Sequence, residues 1–308
     1  MSCHISLTPP NETPSQMERR LCFWSLLVLD RTCSSGSSIK CSLPVEDFYA
    51  KEDEHQLSTV YGSDFRPSFG QEDCVKDLGI YNHAVQILNV WGLVVEFILR
   101  PASTSLYPPW KSESEYAKIK SEVFEFETRC PDSYRYKNSH FLDKSSSELN
   151  ANRTYWSPWI VVQIVYPTVL AILDHPFLCS TRLRQYFGRI PSTFLETSLE
   201  SAIENPRSVL RTIKEASSKD FQITDPFIGY CVGVAASIFL HHSHSENKAF
   251  AEQSRGDFVF LLTWLEEMGD NWPNVQQIVS RSCHYTTDAR YGSSAADSNH
   301  TRPKSSVN

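Results

Sequence analysis

Apolar residues recur along the chain with the 3.6-residue period of amphipathic helices, and no stretch alternates with period two long enough to build a sheet. A first helix is expected from Met17, with Glu18 in the turn where the helix dipole favours a carboxylate and Leu21, Trp24, Leu27, Val28 and Arg31 on one stripe. Phe23, Leu26 and Leu29 make its other side apolar too, which predicts burial on most faces. The clearest stripe runs through positions 80, 84, 87, 88, 91, 94, 95 and 98 and stops at Pro101. Ser112 and Glu115 have the spacing of a capping box opening a helix with Tyr116, Ile119, Val123 and Phe126, which ends before Pro131. An apolar helix follows over 156–174, to be kinked or divided by Pro167. Two short helices are expected on either side of Pro206, one with Leu195, Leu199, Ala202 and Ile203, the other with Val209, Leu210 and Ile213. Further helices are read over 226–242 and 257–280.

These patterns give an all-α fold, an irregular multi-helix bundle with no internal repeat. Residues 1–16, with Pro9, Pro10 and Pro14, read as a linker, residues 17–280 as one domain, and the Ser-, Thr- and Asn-rich residues 281–308 as a disordered tail. Within the domain, residues 34–77 are a long connection rich in Ser, Gly, Pro and Asp.

The balance of 29 basic to 36 acidic residues gives no reason for the whole chain to bind a phosphate backbone. The densest basic stretch, Arg182, Arg184, Arg189, Arg207, Arg211 and Lys214, is diluted by Glu196, Glu200, Glu204 and Glu215 and reads as solvated helix faces. Nine scattered cysteines, an odd total with no Cys-x-x-Cys pair, argue against a disulfide framework and a zinc knuckle and fit a reducing compartment. Arg19-Arg20 before Leu21–Leu29 imitates a signal peptide, but Asp30-Arg31 stands where a cleavage site belongs. The runs Ile160–Leu173 and Phe227–Leu240 fall short of the roughly 20 residues that span a bilayer. No membrane partner is expected, and the Asn-x-Ser/Thr triplets at Asn11, Asn152 and Asn299 are read as chance.

Three groups of residues raise a question of chemistry. Gly229-x-Cys231-x-Gly233 has the spacing of a nucleophile elbow, which makes a hydrolase with Cys231 as nucleophile the enzymatic alternative. Such an elbow needs a strand before it, whereas Asp225-Pro226 opens a helix, and Gly229, Gly233, Ala235 and Ala236 suit close helix packing. His241, His242 and His244 lack further ligands at metal spacing except Glu246, and are read as favourable charges at a helix C-terminus. Glu266, Glu267 and Asp270 read as a solvated face. No catalytic residue, metal site or cofactor is assigned.

Four segments carry a family resemblance. Glu18-Arg19-Arg20, Phe23-Trp24-Ser25 and Leu29-Asp30-Arg31 resemble the signature of the fungal-specific transcription factor domain, the middle homology region of zinc-cluster transcription factors. Leu43-Pro44-Val45-Glu46-Asp47 resembles its acidic-proline loop, Leu173-Asp174-His175-Pro176-Phe177 its Leu-His-Arg-Pro-Phe, and Asp225-Pro226-Phe227-Ile228-Gly229-Tyr230 its Pro-Phe-x-Gly-Tyr. Two departures stand out: Ser37 and Ser38 follow Gly36 where the family has Gly-Arg-Pro, and His175 stands where arginine is usual.

The resemblance implies a nuclear protein of transcription regulation, acting through protein partners or a small effector. It also implies a zinc cluster of six cysteines and further helices upstream of the Asp-Arg helix, so the chain is expected to lack its DNA-binding module and its first helices. A helix short of packing partners then makes a dimer one expected outcome. Glu18, Arg19, Arg20, Phe23, Trp24, Asp30, Arg31, Pro176, Phe177, Pro226 and Phe227 are read as structural, with Arg20 positioned to lie on the Trp24 indole and Asp30 to pair with an arginine.

Overall fold

A computed structural model of the chain describes residues 79–102 and 105–281. Of these, 79% are helical, and there is no strand among the described residues, so the all-α expectation holds. Packing divides the chain into two compact units between Ser139 and His140, and each is taken by itself.

In the unit that ends at Ser139, helix α1 (Ile80–Leu99) buries Ile80, Ala84, Ile87, Leu88, Trp91, Val94 and Val95, seven of the eight stripe positions. Arg100 is extended at φ −73°, ψ 135°, as the ring of Pro101 demands of the residue before it, and there the helix stops. Helix α2 (Glu115–Arg129) buries the four expected side chains Tyr116, Ile119, Val123 and Phe126 against α1. Its cap differs from the expected one. Ser114 Oγ accepts from Ala117 N at 3.1 Å, while Ser112 donates to its neighbour Glu113. The helix starts at Glu115, which leaves alanine at the third position and therefore no reciprocal carboxylate. His83 is buried with its ring edge-on to Tyr134 at 5.4 Å, and Arg100 ion-pairs with both Glu96 and Glu115 across the turn.

The unit that begins at His140 is built on four longer helices. A capping box between Ser145 and Glu148 opens the short helix α3 (Ser146–Ala151). Helix α4 (Arg153–Leu173) then runs unbroken through Pro158 and Pro167. Of the expected kink or division at Pro167, division does not occur. Each proline removes one backbone donor, but the helix buries 14 of its side chains, and Thr168 Oγ1 donates to Ile164 O at 2.7 Å in the affected turn. Helix α5 (Pro176–Leu183) and a 3-10 turn, Arg184–Tyr186, follow.

Helix α6 (Ser192–Ser218) is likewise one helix of 27 residues, where two were expected. Its buried stripe of Ala202, Pro206, Val209, Leu210, Ile213 and Ala216 passes through the proline, and Asn205 Nδ2 donates to Ser201 O beside it. Helix α7 (Pro226–His242) matches its expected bounds. Helix α8 (Lys248–Gly269) starts nine residues earlier than the pattern suggested, because Asn247 caps it and Ala251 and Ser254 are buried in its polar-looking first turns. The helix expected over 257–280 ends at Gly269, and a separate helix, 273–281, follows.

Helix α7 packs against α4, α6 and α8, and α4 packs against α6. Ile228, Cys231, Val232, Ala235, Ala236 and Ile238 of α7 are essentially inaccessible to solvent. At the start of the unit, Phe141 stacks on Trp159 at 5.2 Å and meets Trp156 and Phe221 edge-on. Arg153 lies over the Phe221 ring at 4.6 Å and donates to Gln222 O, tying the start of α4 to the strand-free link before α7. Two stretches, Ile80–Leu99 and Arg153–Tyr186, are long and apolar enough to cross a membrane by composition alone, and 61% and 78% of their apolar windows are buried, as in core helices.

Candidate functional site

Two of the four landmark segments fall within the described residues, and both mark helix starts. The first joins α4 to α5. Asp174 closes α4, and His175 is held extended at φ −59°, ψ 127° by the following proline. Pro176 takes the first helical position, where its missing N–H loses nothing. His175 Nδ1 accepts the Phe177 N–H at 3.3 Å, and His175 Nε2 lies 3.0 Å from Ser237 Oγ of α7. Ser237 gives its own proton to Val234 O at 2.7 Å. These partners fix one arrangement: the ring is neutral, with its proton on Nε2 donated to Ser237.

Around this cap lies a group of rings. Phe177 stacks on His175 at 5.6 Å and meets His241 edge-on at 5.2 Å. His241 is 5.9 Å from His242, which packs on Phe250 of α8, and the Arg207 guanidinium of α6 sits 5.9 Å from the Phe250 centroid. Burial, then the neighbouring His241 and His242, pushes the His175 ring down to about 4. Burial, then His241 and Arg207, pushes His242 down to about 4, and His241 is lowered by burial and His244. His241 and His242 stand in the last turn of α7, where the dipole favours a cation while burial works against one. His244 does meet the helix end, with Nδ1 2.9 Å from Leu240 O. No group of three or more His, Cys, Asp or Glu side chains is placed to hold a metal ion among the described residues.

The second landmark opens α7. Asp225 Oδ1 accepts from Phe227 N at 2.9 Å, and burial raises its carboxyl while that bond works the other way. Pro226 is again the first helical residue, and Phe227 and Ile228 are buried. Gly229 and Gly233 lie where α7 touches the chain after it. A Cβ on Gly229 would stand 2.8 Å from Val275 Cγ2 and 2.9 Å from Met268 Sδ, and one on Gly233 would stand 2.8 Å from Ile278 Cγ2. The glycines thus permit helix contact, as their spacing suggested.

Cys231 does not sit at an elbow. It lies in the second turn of α7, 0% exposed, and burial drives its thiol far above the range in which a thiolate nucleophile forms at neutral pH. The hydrolase alternative loses its nucleophile on both counts.

The structure brings His175 and Phe177 together with the C-terminal end of α7, and leaves Pro226 and Phe227 at its other end, roughly 22 Å away at 1.5 Å per residue. Phe177 is 58% exposed and Phe227 is buried, so the two phenylalanines serve different ends. Ser237 and Phe250, which the sequence did not single out, join the histidine group, as does Arg207, read there only as part of a solvated basic stretch. Glu18, Arg19, Arg20, Phe23, Trp24, Asp30, Arg31 and the 43–47 segment lie outside the described residues.

No family model matches the chain, and no solved structure matches it. The chain is similar to curated fungal proteins. It is 21% identical over 258 residues to an uncharacterised transcriptional regulatory protein of Schizosaccharomyces pombe, across 76% of this chain and 30% of that protein. It is 20% identical over 275 residues to the Zn(2)-C6 fungal-type transcription factor FTF1c of Fusarium oxysporum f. sp. lycopersici, across 82% of this chain and 28% of that one. The FTF1a factor of the same fungus is 19% identical over 269 residues, 82% and 24%. The chain thus spans less than a third of the length of these relatives, all of which bear the names of transcription regulators.

Proposed function

We propose that this chain is a transcription-regulatory, protein-interaction domain of the kind carried by fungal zinc-cluster transcription factors, working in the nucleus and not as an enzyme. The observation that carries the reading is the run of similarity over 76–82% of the chain to relatives named as transcription regulators, in a chain whose own landmarks follow the order of the middle homology region. What the described landmarks do supports it. His175-Pro176-Phe177 and Asp225-Pro226-Phe227 cap helices and pack them, so their residue types answer to architecture and leave no reacting group to explain. In this reading zinc and duplex DNA are bound by a cysteine cluster elsewhere, and this chain passes the effect of a partner protein or a small effector to it.

The test is a reporter assay. The 308-residue chain is fused to a heterologous DNA-binding domain and expressed in yeast, with its location followed by a fluorescent tag. The expected result is a nuclear fusion that raises or lowers reporter output relative to the DNA-binding domain alone. A well-expressed nuclear fusion that leaves the reporter unchanged, in both an activation and a repression format, overturns the proposal.

A further inference from the structure

The covered side of α6 reaches back to the buried Ser198, yet two leucines on the apolar side of the same turns stand exposed. Stepping back from Ala202 by three and then four residues reaches Leu199 and Leu195, on the same face. Ala202 is 1% exposed, whereas Leu199 is 60% and Leu195 38% exposed. Beside these two leucines, Glu196 and Glu200 stand four apart and exposed, while the exposed Glu204 falls on the side of the helix away from them. Residues 192–206 contain these three glutamates and no Lys, Arg or His. Glu204 pairs with Arg207 at 2.9 Å, while Glu196 and Glu200 have no ion-pair partner among the described residues.

We infer that the first half of α6 is a docking face for a basic amphipathic helix of a partner protein, one that sets two apolar side chains against Leu195 and Leu199 and places lysines or arginines beside Glu196 and Glu200. The charge selects this occupant over the others. A second copy docking through the same face would bring the unpaired Glu196 and Glu200 of one chain against the same two of the other, and a nucleic acid or an anionic membrane would be repelled in the same way. A basic helix whose apolar anchors fall at i and i+4 satisfies the leucines and the glutamates together. The inference rests on the interaction-domain reading above and names the surface and partner chemistry that the reading leaves open.

The probe is a fluorescein-labelled synthetic helix of roughly 18 residues, long enough to be helical in part, with leucines four apart flanked by lysines. A second peptide has glutamates in place of the lysines. Binding to the full 308-residue chain is followed by anisotropy. The basic peptide is expected to bind, to weaken about tenfold with Glu196→Lys/Glu200→Lys, to weaken with Leu199→Ser, and to weaken as salt screens the pairs. The acidic peptide is expected to prefer the charge-reversed chain. The charge reversal alters only exposed positions and keeps the test available should Leu199→Ser fold poorly. Equal binding of both peptides, binding indifferent to both variants, or no binding overturns the inference. So does sedimentation showing a dimer that Leu199→Ser dissociates, which would make a second copy the occupant. Failure here with a positive reporter assay removes this surface alone, while a silent reporter removes the regulatory reading.

Discussion

Acid should destabilise the unit that begins at His140, with His175 as a principal cause. In the folded chain His175 Nδ1 accepts the Phe177 N–H and Nε2 donates to Ser237, so the site holds the neutral ring. Protonation places a second N–H on Nδ1, opposite the Phe177 N–H, and puts a positive charge at the N-terminus of α5, where the dipole is also positive. The folded ring titrates at about 4, against 6.5 for a free one. Between these values the unfolded chain binds a proton that the folded chain does not. The contribution is therefore complete above pH 6.5 and is lost as the pH falls through that window. The gap corresponds to about 3 kcal/mol below pH 4 and about 2 kcal/mol at pH 5, both ceilings because solvent reaches part of the ring. Urea unfolding followed by the fluorescence of Trp156 and Trp159, at pH 7.5 and 5.0, measures the loss. His175→Asn keeps an acceptor at the cap and cannot titrate, so the variant should lose distinctly less stability between the two pH values, with the residue of the slope coming from His242. An unchanged slope in His175→Asn, together with an NMR titration midpoint for His175 near 6.5 in the folded protein, refutes the argument.

Gly233→Val should lower the melting temperature, since even a Cβ there meets Ile278 Cγ2 at 2.8 Å and overpacking costs about 1–3 kcal/mol; a calorimetric scan equal to wild type would show that 273–281 does not lie on α7 in solution. Ser114→Ala should cost about 1 kcal/mol through loss of the α2 cap, and Ser112→Ala almost nothing, an ordering that chemical denaturation can check. Cys231 should resist a thiol reagent in the native chain and react once urea unfolds it, so that mass spectrometry finding rapid native modification at Cys231 would place it outside the core. Metal analysis of the purified chain should find no stoichiometric zinc, and two ions per chain would mean that its scattered cysteines form a cluster after all.

The helical stripes were legible because burial selects apolar residues at the helical period whatever the partner is. The seven buried stripe positions of α1 and the four of α2 needed no tertiary information. Proline misled the reading at position 206, since its local penalty of roughly 3 kcal/mol is visible in sequence while the burial that offsets it is not. The first turns of α8 were missed because Ala251 and Ser254, though buried, do not look apolar enough to form a stripe. Asp225 and Pro226 announced their helix by residue type. The pairing of His175 with Ser237 joins positions 62 apart, and no local pattern points from one to the other. Leu195 and Leu199 mark a helix by their spacing and yet stand exposed, because periodicity records which way a side chain faces and not whether anything covers it.

The central place of α7 has a consequence for how the unit opens. A helix walled by three others releases its amides to solvent only when all three walls part, so the α7 amides around Ile228 to Ile238 should exchange at the rate of global unfolding. The start of α6 before the buried Ser198 has no such enclosure, and its amides should exchange through fraying that leaves the rest of the helix intact. The two ends of one 27-residue helix would then differ by much of the unit's whole unfolding free energy. A segment that can fray and re-form without loosening what lies behind it can adjust to whatever it meets.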